Sequence, residues 1–376
     1  MDPNAFPLIE LSGAPHARGL AYGKAAAERV HRSLALYRGE LERRGVKPEQ
    51  IRKLARDFTP HVTAFDPAYL EEMEGIAQGA GVTVEDVVFI NCRTEMMFGA
   101  HTMIESGAAK TDGCTAVIVL PGASDDGKLI HAHNWDWREE CVDTGVVLKI
   151  RRDQGPDMLI FVEAGGLARH GLNAAGVSVT GNYLACDRDF RTAGRTPLAL
   201  IRRKLLEAGN LADAMRTAWG HPRACSTNVM LAHAPGEAVN LEMAPDEIFW
   251  ITPTGGILVH ANHWISPAAQ AKLRDTGIAI TVDTIYRQRR VEAAVRGLGG
   301  KVSVAAIKDA LGDKYGWPDS VLRPPKPAPF SAISATVCTT IMRPAAGAME
   351  IARKAWVERN FHKYSLSGCE CRAASC

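Results

Sequence analysis

Gly113-Cys114 lies where a helix-rich stretch gives way to the β-branched run Cys114-Thr115-Ala116-Val117-Ile118-Val119-Leu120. A cysteine that opens a strand directly after glycine suits peptide-bond rearrangement. Its thiolate can attack the preceding carbonyl, and glycine has no side chain to obstruct the approach. Breaking that bond would make Cys114 an N-terminus with a thiol and a free α-amine, a nucleophile carrying its own base. The competing reading is a buried structural cysteine, because free cysteine packs as a small hydrophobe. A Gly-Cys pair alone does not separate the two. Lys110 and Asp112 flank the bond and could either assist proton transfer or solvate a loop.

Two further segments carry polar groups in useful patterns. In His131-Ala132-His133-Asn134-Trp135-Asp136-Trp137, strand alternation puts the two histidines and two tryptophans on one face. Ala132, Asn134 and Asp136 share the other, where an amide and a carboxylate could orient the Cys114 amine. A turn in which Asn134 and Asp136 bond to backbone is the alternative. Two histidines without a nearby third ligand do not make a metal site. In Leu258-Val259-His260-Ala261-Asn262-His263, an apolar strand ends on an asparagine whose amide could donate to an oxyanion. Alternatively, Asn262 caps the next turn. Glu95 sits one helical turn from Cys92 and could pair locally with Arg93, so both read as structural.

The elements that must position these residues fall into a clear order. Apolar spacing predicts helices over 17–43, 69–77 and 84–97, the last entered through Thr83 with Glu85 and Asp86 in its first turn. Strands are expected over 114–120, 129–135, 146–151 and 158–163, separated by Gly, Pro and Asp breakers. A helix over 197–207 follows, and strands resume at 228–233, 238–243, 248–252 and 256–260. Helices over 284–297 and 302–311, a proline-rich loop over 318–329, and strands over 334–342 and 348–352 complete the chain. Strands, helices and strands in succession suggest antiparallel sheets with helices segregated into layers.

Composition bounds the rest. Apolar residues make up 46% and charged residues 23%, ordinary for a globular chain with ample core. A net charge of +2 gives no electrostatic case for nucleic acid or a membrane surface. No stretch approaches the ~18 apolar residues of a membrane span, and no secretory signal is visible, so a cytoplasmic address is expected by default. Six of the nine cysteines are scattered, as in a reduced protein. The other three crowd Gly368-Cys369-Glu370-Cys371-Arg372-Ala373-Ala374-Ser375-Cys376, which lacks zinc-site spacing and is expected to be a disordered tail. No metal or cofactor is expected.

Read together, several blocks resemble the acyl-coenzyme A:6-aminopenicillanic acid acyltransferase family, cysteine N-terminal nucleophile hydrolases. They are Arg18-Gly19-Leu20-Ala21-Tyr22-Gly23, Glu74-Gly75-Ile76-Ala77, Asn91-Cys92-Arg93-Thr94-Glu95, Asp112-Gly113-Cys114-Thr115 and Asn134-Trp135-Asp136. Glu163-Ala164-Gly165, Gly171-Leu172-Asn173-Ala174-Ala175-Gly176-Val177 and His260-Ala261-Asn262-His263 follow in the family's order. The resemblance implies an α+β fold, an αββα sandwich of two stacked antiparallel sheets between helical layers. It also implies a precursor that cuts itself before Cys114. Residues 1–113 would form a helical fragment, 114–366 the nucleophile-bearing fragment of the same domain, and 367–376 the tail. By correspondence Cys114 is the nucleophile, Asp136 the family's carboxylate and Asn262 its oxyanion-side asparagine. Asn134 is a support by adjacency. One departure stands out: the family's penicillin-forming member has an arginine before a Gly-Ala-Thr run, where this chain has Ile333-Ser334-Ala335-Thr336. That puts recognition of the same carboxylate-bearing substrate in doubt.

The expected activity is amide hydrolysis of a small N-acyl or peptide-like substrate through an S-acyl enzyme, the two fragments forming a heterodimer. Acyl transfer from coenzyme A is the alternative, although no Gly-rich phosphate loop is present. A non-catalytic binding protein that retains the fold is the third reading. Substrate-binding residues are not readable.

Overall fold

The computed structural model describes residues 4–99, 113–191, 196–328 and 332–367. Its N-terminal helices α1 (Pro15–Arg43), α2 (Pro48–Phe65) and α3 (Pro67–Ala80) each open on proline, whose missing N–H is not needed in a first turn. Glycine decides how α1 meets α3. A Cβ at Gly19 would lie 2.0 Å from the Glu72 carbonyl oxygen, and one at Gly75 would lie 2.2 Å from that of His16. The two backbones therefore touch, which side chains at these positions would forbid. The helix expected over 84–97 is two, α4 (Val84–Asn91) and α5 (Arg93–Gly99). Asn91 bonds out to the Gly165 carbonyl and the Leu167 N–H, while Arg93 turns to Glu163. These long-range bonds pull the chain off one axis at Cys92.

The first sheet orders its strands β1 (Leu8–Leu11), β4 (Gly145–Ile150), β5 (Met158–Glu163), β6 (His170–Asn173), β7 (Val177–Tyr183), β8 (Thr227–His233), β9 (Glu237–Met243) and β10 (Ile248–Ile251). The second runs β11 (Ile257–His260), β2 (Cys114–Val119), β3 (Ile130–Arg138), β13 (Ala332–Arg343), β14 (Ala348–Arg353) and β15 (His362–Ser365), with β12 (Lys326–Ala328) also on β13. Pairing is antiparallel throughout except that the edge strand β1 lies parallel to β4. The sheets are antiparallel as expected, with this one parallel pair added at an edge. β1 reaches the sheet edge before the helices begin and is joined by a strand that returns long after them.

The sheets stack face to face. His131 on β3 bonds Ser178 and Thr180 on β7 at 2.9 Å each, and His133 bonds Asn182 at 3.1 Å. Burial pushes His131 down to about 3, so this polar layer holds neutral imidazoles. Helices α6 (Leu198–Leu206) and α7 (Leu211–Trp219) cover the outer face of the first sheet. The short α8 (Pro267–Lys272) follows β11. Helices α9 (Thr284–Arg296) and α10 (Val304–Leu311) cover the second sheet, packing Val291, Val295 and Ile307 on Val117, Val119 and Ala132. The architecture is an αββα sandwich of the α+β class.

Candidate active site

Cys114 is the first residue of β2 and only 6% exposed. It lies directly opposite Trp135 on β3, so both side chains share the inter-sheet face. Its backbone N–H donates to Asn262 Oδ1 at 2.6 Å. Asn262 is brought there by β11, the neighbour of β2, in which His260 stands opposite Ala116. The turn after β11 is braced from both sides. Asn182 donates to the carbonyls of His260 and Ala261 at 3.0 and 2.9 Å. Glu242 accepts from the N–H groups of Ile265 and Ser266, and the Asn262 N–H donates to Thr284 Oγ1 at 2.7 Å. Asn262 Nδ2 donates one hydrogen to the Tyr183 carbonyl at 3.0 Å. Its second hydrogen has no acceptor among the described residues.

The other face of β2 and β3 carries an ion network. Arg287 on α9 donates to the Cys114 carbonyl at 2.8 Å, Thr115 Oγ1 at 2.9 Å and Asn262 Oδ1 at 3.0 Å, while its Nε pairs with Asp283 at 2.7 Å. Arg323 joins Asp283 and approaches Asp136 at 3.3 Å. Thr336 donates to the Asp136 carboxylate at 2.6 Å, beside a bulge in β13. Asp136 thus reaches Cys114 through the main chain: its N–H donates to the Gly113 carbonyl at 3.1 Å. A Cβ at Gly113 would lie 2.7 Å from Arg323 Nη2 and 2.9 Å from Arg287 Nη2. Any other residue there would push these guanidinium groups off the strand.

Electrostatics at the sulfur are unfavourable to a free-standing thiolate. Burial pushes the Cys114 thiol up to about 11, with Asp136 adding to the rise and Arg169 and Arg287 opposing it. Such a thiol is a weak nucleophile near neutrality unless a base takes its proton.

The structure brings Cys114, Asp136 and Asn262 together. Asn134 it places elsewhere: its Nδ2 donates to the Leu311 and Val321 carbonyls at 2.9 Å each, and its Oδ1 accepts from Thr339 at 2.7 Å. It fastens β3 to α10 and has no hydrogen bond with Cys114 among the described residues. Arg93 does not pair with Glu95. It donates to Glu163 at 3.1 Å, and Glu95 instead accepts the Leu198 N–H at 2.8 Å at the start of α6. Lys110, Asp112 and the three C-terminal cysteines lie outside the described residues. Sequence reasoning missed Arg287, Arg323, Asp283 and Arg169. Only Asp283 and Arg287, one helical turn apart, left a signal. At the 333–336 departure Arg323 donates its N–H to Thr336 Oγ1 and turns its guanidinium to the protein's own Asp136 carboxylate. Among the described residues no cluster of three or more His, Cys, Asp or Glu is placed to hold a metal, and no helix is long and apolar enough to cross a membrane.

The chain is thus an αββα sandwich in which an inner strand opens on a cysteine whose main-chain nitrogen rests on an asparagine. Within it the family is identifiable. The family model described as acyl-coenzyme A:6-aminopenicillanic acid acyl-transferase matches residues 123–355, and the chain belongs to that family. The 40 kDa form of acyl-coenzyme A:6-aminopenicillanic-acid-acyltransferase from Emericella nidulans is 28% identical over 321 residues, 84% of each chain. Among solved structures, a mutant conjugated bile acid hydrolase from Clostridium perfringens aligns over 67% of this chain and 92% of its own, at 10% identity and a TM-score of 0.48. Penicillin V acylase from Agrobacterium tumefaciens aligns over 67% and 86%, at 13% identity and a TM-score of 0.44.

Proposed function

We propose that this protein is a self-processing cysteine amidohydrolase. In the maturation step Cys114 Sγ attacks the Gly113 carbonyl carbon, a C–S bond forms, and the bond between Gly113 and Cys114 breaks. The Asp136 N–H faces the oxygen that gains charge. Water then hydrolyses the thioester, returning the thiol and leaving Cys114 with a free α-amine. Residues 1–113 and 114–376 remain associated as a heterodimer through the core they share.

In turnover the amine, still oriented by Asn262 Oδ1, accepts the thiol proton, since an ordinary α-amino group has a pKa of about 8. Sulfur attacks the carbonyl of a small amide, and the second Nδ2 hydrogen of Asn262 supports the oxyanion. The amine leaves with a proton, and water releases the acid from the S-acyl enzyme. The observation that carries this reading is the 2.6 Å bond from the Cys114 nitrogen to Asn262. The same Asn262 oxygen that satisfies this buried N–H in the uncut chain is placed to orient a free amine once the bond before Cys114 is broken.

The test is a denaturing gel of purified protein with intact mass and N-terminal sequencing. Two fragments are expected, the larger beginning at Cys114, with one band from Cys114→Ala. A single uncut chain that turns over amide substrates would refute the proposal, and an uncut inert chain would favour a binding protein. Acyl transfer is the second reading, supported by the activity named for the Emericella nidulans relative. Product analysis with and without an added amine measures how the acyl-enzyme partitions.

A further inference from the structure

Asn182 on β7 is fully buried, and both ends of its side-chain amide are bonded. The Nδ2 hydrogens go to the carbonyls of His260 and Ala261 at 3.0 and 2.9 Å, and Oδ1 lies 3.1 Å from His133 Nε2. The two carbonyls fix which end of the amide carries nitrogen, because an oxygen turned toward them would meet only acceptors. His133 must then donate from Nε2. Burial, with Arg169 adding to it, keeps the imidazole neutral. Its Nδ1 is therefore bare and has no partner among the described residues.

Asn182 acts where a ladder stops. β11 pairs antiparallel with β2, from Ile257 on Val119 to His260 on Ala116. Two more steps in that register would set Ala261 against Thr115 and Asn262 against Cys114, main chain to main chain. The pairing ends at His260 instead. Consecutive carbonyls of an extended strand point to opposite edges, so one amide that holds those of 260 and 261 together holds a bend. Thr284 Oγ1 accepts the Asn262 N–H and removes a second main-chain group from the register. What remains to meet the Cys114 nitrogen is the Asn262 side chain, at 2.6 Å. Ala116 stands between His133 and His260 in one row of the second sheet, on the face toward the first. A methyl group there leaves Asn182 room between the two imidazoles.

The consequence is chemical. An amine at the head of a regular ladder would follow whichever main-chain carbonyl the register offered. The Asn262 amide, held at Oδ1 by Arg287 and at Nδ2 by the Tyr183 carbonyl, keeps that nitrogen in one place beside its own thiol. We infer that Asn182, oriented by His133, is a positioning residue that ends the β11 ladder at His260 and so hands the Cys114 nitrogen to Asn262. Its part in catalysis rests on the reading of Cys114 as a self-processing nucleophile, while its hold on Asn262 rests on the geometry alone.

The experiment has two arms. The first uses the Cys114→Ala chain, which stays uncut, and follows amide hydrogen exchange at residue 114 by nuclear magnetic resonance. Adding Asn182→Leu, which keeps the approximate shape and removes both donors, should speed that exchange at least about tenfold, the scale of one hydrogen bond. Exchange at Val117, farther along the same strand, should not change. Ser178→Ala, which cuts a bond to His131 in the same polar layer, should leave residue 114 as it was. The second arm places each substitution in the otherwise unaltered chain and follows self-cleavage on a denaturing gel. Asn182→Leu should slow cleavage per folded molecule at least about tenfold, and Ser178→Ala should not. Unchanged exchange at residue 114, an acceleration that extends equally to Val117, or cleavage at the normal rate overturns the inference. Should Asn182→Leu fail to fold by near-ultraviolet circular dichroism, His133→Phe takes its place, and His133→Gln, which returns a donor at similar reach, should restore both readouts. A parent chain that never splits, together with faster exchange at residue 114, refutes the nucleophile and leaves the positioning of Asn262. A parent chain that splits, with exchange unmoved, does the reverse.

Discussion

Two arginine clusters flank the strand that begins at Cys114, and they are built on opposite principles. On the helix-facing side Arg287 and Arg323 meet Asp136 and Asp283, and Arg287 also donates to the carbonyl of Cys114. Cation and anion balance there, and the network grips main chain. On the inter-sheet side Arg93, Arg169 and Arg202 face one firmly ionised carboxylate and one that is half neutral near pH 7. A balanced cluster fixes geometry, while an unbalanced one leaves stability sensitive to the protonation of its carboxylates. Removing a member should therefore disable folding and processing on the first side, and shift stability or its pH response on the second.

The largest effect is expected from Arg287→Leu. It breaks the Arg287–Asp283 pair, leaving Asp283 with Arg323, and removes the donor to the Cys114 carbonyl, so a stability loss of about 3–5 kcal/mol is anticipated, as for breaking a buried ion pair. Denaturant titration measures the loss. A gel time course should show self-cleavage slowed by about two orders of magnitude or more, the scale of a lost preorganised donor. A variant that folds and splits at the normal rate would show that the balanced cluster does not hold the scissile region.

Asn262→Ala comes next. Removing the acceptor of the Cys114 N–H and the donor to Tyr183 should slow both cleavage and turnover by about 10²–10³-fold. Asn134→Ala serves as its contrast, because that amide fastens β3 to α10. It should lower the melting temperature while the protein that remains folded still splits. Equal effects of the two variants on cleavage per folded molecule would erase the distinction drawn between them.

Glu163→Gln should destabilise by about 3 kcal/mol, since it leaves Arg93 and Arg169 without their shared carboxylate. Denaturant titration measures the loss, and an unchanged midpoint would show that Arg93 and Arg169 do not depend on that carboxylate.

The last prediction is a pH dependence, carried by Glu95. Burial raises its pKa to about 7, above the roughly 4.3 of an exposed glutamate. Between those values the folded state holds more protons than the unfolded one. Its contribution is therefore present at low pH and declines as pH rises, by at most about 1.4 kcal/mol per pH unit. Glu95→Gln should flatten the stability profile between about pH 4.5 and 7. An unchanged slope by denaturant titration across that window would assign the pH dependence to other groups.

Legibility in the sequence followed the physics of each element. The strand 158–163 is a continuous apolar run and has those limits in the structure. Strands β6 and β7 escaped notice because Gly171 and Gly181 interrupt them, and His170, Ser178, Thr180 and Asn182 on their inner faces are polar. These residues are buried against partners from the other sheet, such as His131 and Thr340. β7 does alternate, Val177, Val179 and Tyr183 against Ser178, Thr180 and Asn182, but the polar set is the one buried between the sheets, the reverse of the usual pattern. Helix α2, with Pro60 in its interior and few buried residues, gave little more.

The sequence by itself determined where a nucleophile could stand. A glycine before a cysteine at the head of a β-branched run, an alternation that sets Asp136 apart from Trp135, and an asparagine at a strand end are local facts. Tertiary structure alone decided which charges surround that point. Arg287 reaches the Cys114 carbonyl across 173 residues of sequence. Arg169 reaches the indole opposite the sulfur from a loop that no periodicity marks. A buried charge is stable only beside its partner, and the partner's position in the chain is set by how the sheets stack rather than by spacing.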